Sequence, residues 1–130
     1  MIKFTHRDRF GKAYPIVDGI PSHTNATPLE YINRLLLSNL VFSDDVRLER
    51  VLLDEDGTMS LATSQPLVVG TQPGEQLVHQ ALRDLDFEPF ESVDGRPMTN
   101  DWFRERDQVL AFDAHSGNFE VQLIFGPRVV

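Results

Sequence analysis

The sequence predicts an α+β fold, a small and mostly antiparallel sheet with two principal helices. Two stretches, 27–41 and 73–85, carry apolar residues at helical spacing. Between them, two strand-like runs flank Asp54-Glu55-Asp56-Gly57, a turn sequence with glycine available for positive φ. A second group of short strand-like runs follows position 101.

Taken in order, Ile2-Lys3-Phe4 reads as a first strand. Residues 5–26 hold Gly11, Pro15, Gly19 and Pro21 and read as an extended arm, with a short strand at 14–17. Thr27-Pro28-Leu29-Glu30 is a helix start. Threonine can accept from an orphan amide, Glu30 can reach back, and proline at the first helical position loses no bond. Leu29, Ile32, Leu36 and Leu40 form the predicted apolar stripe, widened by Tyr31 and Leu35. Strands at 46–53 and 58–64 form the hairpin, and Gln65-Pro66 interrupts before a brief continuation at 67–69. The second helix presents Leu77, Val78, Ala81, Leu82 and Leu85. Residues 86–100, with Pro89, Gly95 and Pro97, read mostly as loop, and 102–106, 109–113 and 119–125 read as strands. Trp102 is expected to pack under the sheet, with Arg104 and Arg106 paired to local acids.

The chain has 130 residues, one domain's worth, divided on this reading into an N-terminal arm (1–26) and a globular core (27–130). It has no cysteine, which excludes a disulfide scaffold, a thiolate metal site and a cysteine nucleophile. The net charge is −8. Residues 1–26 carry +2, so the remainder carries −10. A diffuse acidic surface disfavours duplex nucleic acid and anionic lipid, and only the short basic N-terminal segment favours a phosphate-bearing partner. A protein is the expected partner. No apolar run approaches the roughly 18 residues that span a bilayer, and no signal-peptide core opens the chain, so the expected compartment is the cytoplasm. The sequence leaves the oligomeric state open.

The most informative stretch is Leu110-Ala111-Phe112-Asp113-Ala114-His115-Ser116-Gly117-Asn118. A hydrophobic strand delivers Asp113, a polar loop follows, and Asn118 precedes the next strand. In phosphoryl transfer an aspartate takes the acceptor's proton, and an asparagine a few residues on supplies a neutral oxygen to Mg²⁺. The plainer alternatives are an aspartate capping its own turn, an asparagine in a turn and a histidine bonded to a carbonyl. The four histidines are scattered, without metal-ligand spacing.

The Asp-x-His-x-Gly-Asn spacing resembles the catalytic loop of aminoglycoside phosphotransferase-like and choline-kinase-like enzymes. Ahead of it stand Thr27-Pro28-Leu29-Glu30-Tyr31-Ile32-x-Arg34-Leu35, Asn39-x-x-Phe42-x-Asp44-Asp45-x-Arg47-Leu48-Glu49 and Ser64-Gln65-Pro66. In that order, over residues 27–125, the chain resembles the kinase-like domain of polyvalent proteins of phages and mobile elements. The resemblance implies ATP and Mg²⁺ as ligands. It implies Lys3 as the phosphate-holding lysine, Glu30 as its ion-pairing carboxylate, Gln65 in the adenine-contacting hinge, Asp113 as base and Asn118 as metal ligand. The sequence also departs from that pattern. Only two residues precede Lys3, leaving no room for a Gly-rich phosphate loop, and Ile124 stands where the family's second metal-binding aspartate belongs. Losing that carboxylate costs several kcal/mol of transition-state stabilisation. The expectation is therefore a truncated, non-catalytic binding or regulatory module with a remnant nucleotide pocket. The alternatives are an active small kinase completed by another chain, or a purely structural or interaction protein of a phage or mobile element.

Overall fold

The structure, a computed structural model, describes residues 1–13, 16–18, 20–21, 24–91, 97–112, 119–122 and 126–129, together with Ala114, His115 and Gly117. The fold is α+β, with two α-helices and small antiparallel sheets. The chain forms two compact units, Met1–Leu67 and Val68–Val130.

The first unit opens with β1 (Ile2–Phe4), followed by the two-residue strands β2 (Lys12–Ala13), β3 (Ile16–Val17), β4 (Ile20–Pro21) and β5 (Thr24–Asn25). Helix α1 (Pro28–Phe42) and the hairpin β6 (Arg47–Leu53) and β7 (Met59–Ser64) complete it. The main sheet has the order β1-β7-β6, so the first strand joins the far strand of the hairpin, Ile2 opposite Ser64 and Phe4 opposite Ala62. Helix α1 starts as its sequence dictates. Thr27 is extended and its hydroxyl accepts from the Glu30 amide at 3.2 Å, with Pro28 in the first turn. It stops at Ser43, which adopts the left-handed region (φ 57°). Asn39 fixes the return of the chain: its amide donates to the Val46 carbonyl (2.9 Å) and accepts from the Val46 amide (3.0 Å).

Described residues of the N-terminal segment contribute to the core of this unit. Phe10 and Ala26 are buried with Leu61 of β7, and Ala13, Tyr31, Ile32 and Met59 pack around them. Asp8, with positive φ, accepts from the Met59 amide at 2.8 Å and so ties the segment to β7. Residues 67–69 do not extend β7. Tyr14, from the predicted strand at 14–17, lies outside the described residues.

The second unit contains α2 (Glu75–Asp84), β8 (Glu88–Glu91), β9 (Pro97–Arg104), a 3-10 turn at Glu105–Asp107, β10 (Val109–Ala111), β11 (Phe119–Gln122) and β12 (Gly126–Val129). Its three-stranded sheet has the order β10-β9-β8, and β11 pairs with β12. Val78 and Leu82 of α2 are buried, as the stripe predicts, with Phe87, Trp102 and Val109. Arg83 lies over the Trp102 ring at 5.3 Å. Arg104 is buried and fully engaged: it makes two bonds to Asp107 (2.9 and 2.8 Å), donates to the Leu85 carbonyl and lies over the Phe87 ring. Arg106 pairs with Asp86. The region expected as loop contains β8 and the first half of β9. Proline does not forbid this, because Pro89 is on the edge strand and Pro97 is the first residue of its strand, positions where a missing amide costs no ladder bond. Among the described residues, no helix is long and apolar enough to cross a membrane.

Candidate functional site

Gln65 follows β7 directly, and both of its peptide groups are engaged. Its amide donates to the Met1 carbonyl (3.0 Å), and its carbonyl accepts from the Met1 amino group (2.8 Å). Gln65 also lines a recess of about 280 Å³ with Asp45, Arg47, Glu49, Ser64 and Pro66. The walls are charged but internally satisfied. Asp45 holds the Arg47 guanidinium through two 2.8 Å bonds and raises it above its ordinary value, so it stays protonated. Ser64 donates to the Glu49 carboxylate. Two acids against one base leave the recess net negative. Its volume lies just below the roughly 300–1,000 Å³ of ordinary ligand pockets. This lining does not fit a nucleoside triphosphate: the only guanidinium is already neutralised, a polyphosphate would meet Glu49, and the Gln65 peptide is unavailable to an adenine. The recess suits at most a small cationic or hydrogen-bonding group.

Lys3 lies on β1 opposite Thr63, with Leu48 as the next partner across the sheet. Thr63 is buried and Lys3 is exposed. Glu30 occupies the first turn of α1, exposed, with its amide bonded to Thr27. Among the described residues, no ion pair joins Lys3 to Glu30. Phosphoryl transfer of the kinase kind requires that pair.

In the second unit, Asp113 and Asn118 lie outside the described residues, as do Ile124 and Phe125. What is described of this loop is its frame. Ala114 is buried, and its amide donates to the Asn100 carbonyl at 2.9 Å. His115 is half-buried, and its Nδ1 accepts from the Gly117 amide at 3.0 Å, which places the neutral ring's proton on Nε2. Gly117 is needed for that packing, because a Cβ there would stand 2.8 Å from His115 Cε1. His115 thus helps to frame the loop. Among the described residues, no cluster of three or more His, Asp or Glu side chains could hold a metal ion.

Helix α1 carries an exposed apolar row that the sequence stripe did not reveal. At about 100° per residue, Leu29, Asn33, Leu36 and Leu40 fall within about 60° of one another around the helix. The structure turns this row outward: Leu29 is 65% exposed, Leu36 56% and Leu40 83%. Leu37, beside the row, is also exposed. Tyr31, on the opposite side, and Ile32, about 40° beyond Leu36, pack on the core. No side chain of this 15-residue helix is fully buried. The signal available in the sequence was the apolar character of both sides of the helix, more than a single docking face uses.

No protein-family model, curated protein or solved structure matches the chain.

Proposed function

We propose that the chain is a non-catalytic protein-binding module, similar in element order to a reduced kinase core, and that it works through the outer face of α1. The observation that carries this reading is the exposed row Leu29, Leu36 and Leu40 on a helix that is already docked through its other side. An exposed apolar patch of a few hundred Å² is of the size that often serves as a binding surface. The kinase-like part of the reading is supported by the sequence of elements. A strand with Lys3, then a helix with Glu30, then a hairpin whose second strand ends one residue before Gln65, follow in the order the motif resemblance requires, and the three strands form one sheet. The non-catalytic part is supported by the unpaired Lys3 and Glu30 and by the engaged Gln65 peptide.

The test is affinity capture from cells with the wild-type chain and with the Leu36→Glu/Leu40→Glu variant, each checked for retained circular dichroism. Loss of captured partners in the variant is the expected result, and unchanged capture refutes the binding-face reading. A parallel thermal-shift series with millimolar Mg²⁺-ATP is expected to show no change. A rise in midpoint abolished by Gln65→Ala would overturn the non-nucleotide reading of the recess.

A further inference from the structure

Resting on that reading of α1, we infer that the occupant of its outer face is a second copy of this chain, with the two α1 helices side by side, parallel and in register. The row Leu29, Asn33, Leu36, Leu40 has the 4-3-4 spacing of a heptad seam, with leucine at three positions and asparagine at one inner position. The Asn33 side chain is exposed and makes no hydrogen bond among the described residues. Covering the row with a wholly apolar surface would strand that amide. A parallel copy in register supplies an identical amide at the same depth, the arrangement by which a single seam asparagine sets register. An antiparallel copy sets Asn33 against Leu36 and leaves it unsatisfied.

Charge points the same way. The whole chain carries −8, so two copies repel wherever acids meet. Helix α1 holds one acid, Glu30, and one base, Arg34, and Arg34 lies over the Tyr31 ring away from the row. The seam is uncharged, so a second copy can approach there without like-charge contact, and nothing on it selects a partner of opposite charge. The area fixes the strength. The exposed leucines offer on the order of 400 Å² per copy, about half of what each partner gives to a standard interface, which makes the dimer weak and concentration-dependent.

Sedimentation from about 1 µM to about 500 µM spans the range in which an interface of this size associates. The mass is expected to rise from 14.8 kDa toward twice that value. Leu36→Glu/Leu40→Glu is expected to stay monomeric throughout. Asn33→Asp, at an exposed position that the fold does not use, is expected to weaken the dimer by roughly tenfold or more through like charges across the seam. Because the chain has no cysteine, a Leu40→Cys variant carries a single thiol. Parallel pairing sets the two thiols side by side, and diamide then links the copies. Antiparallel pairing separates them by about 16 Å, beyond the roughly 7 Å between Cα atoms that a disulfide allows. A monomer at every concentration, or a dimer indifferent to the glutamates, overturns the inference. A dimer that Leu40→Cys fails to link overturns the parallel arrangement. If the chain is monomeric but the glutamate variant still loses captured partners, self-pairing fails while α1 remains a binding face.

Discussion

Truncating Leu40 to alanine separates the two faces of α1 energetically. Burying a leucine fully is worth about 1.5–3 kcal/mol. With 83% of Leu40 in solvent, less than a fifth of that is at stake, so Leu40→Ala is expected to cost about 0.3–0.5 kcal/mol. Alanine's slightly better helix propensity reduces the cost further. Leu36, at 56% exposure, stands to lose about 0.7–1.3 kcal/mol. Leu61, in the same unit, is buried with Phe10 and Ala26, and Leu61→Ala is expected to cost roughly 2.7–5 kcal/mol once the cavity is included. Urea unfolding followed by far-ultraviolet circular dichroism reads all three in one assay, under dilute conditions where the chain is monomeric. With m of about 1–3 kcal/mol/M, Leu61→Ala moves the midpoint by about 1 M or more, and Leu40→Ala by a few tenths at most. A Leu40→Ala cost above about 2 kcal/mol would mean that the row is core after all, and the binding surface on α1 would fall with it.

The Arg104 hydrogen bonds hold the Asp107 carboxyl below its ordinary range. Its folded value is thus below its unfolded value, so its contribution to stability is complete above about pH 4 and fades as pH falls through the ordinary carboxylate range toward the depressed one. Urea midpoints read by Trp102 fluorescence should therefore fall less steeply on acidification in Asp107→Asn than in the wild type, and parallel curves would contradict the assignment. Gly117→Ala should cost about 1–3 kcal/mol, because the new methyl meets the His115 ring and displaces the bond from the Gly117 amide. In the His115→Ala background the same substitution should be close to neutral, and a double-mutant cycle showing additivity would exclude that contact as the cause.

Local chemistry was legible in the sequence where one residue does one job. Thr27 and Pro28 start α1, Gly57 turns the hairpin with φ 82°, Val78 and Leu82 are the buried stripe of α2, and Trp102 is core with Arg104 and Arg106 paired to Asp107 and Asp86. What was not legible depended on choices between equivalent surfaces or on distant partners. Helix α1 is apolar on two sides, and periodicity alone cannot say which side docks; Phe10 and Leu61 decide it. The two-residue strands before Thr24 are too short to carry a period. Pro89 and Pro97 read as breakers because the sequence does not reveal that one is on a sheet edge and the other at a strand start. The motif residues Lys3, Glu30 and Gln65 were visible as types in order, but order does not encode whether a lysine reaches a glutamate or whether a peptide group is already engaged.

The placement of β1 next to β7 also sets an order of assembly. The hairpin β6–β7 closes across a short turn, and α1 forms from local bonds, so both pay little loop-closure entropy. Strand β1 must wait for Ser64, its partner at the far end of the unit. At about 5–20 residues per second, synthesis leaves Ile2 and Phe4 without their pairing strand for roughly 3–12 s. Pulse-labelled hydrogen exchange during refolding should accordingly protect the β6 and β7 amides before those of β1. By this loop-closure argument the N-terminal strand is expected to be the last piece of the sheet to fold.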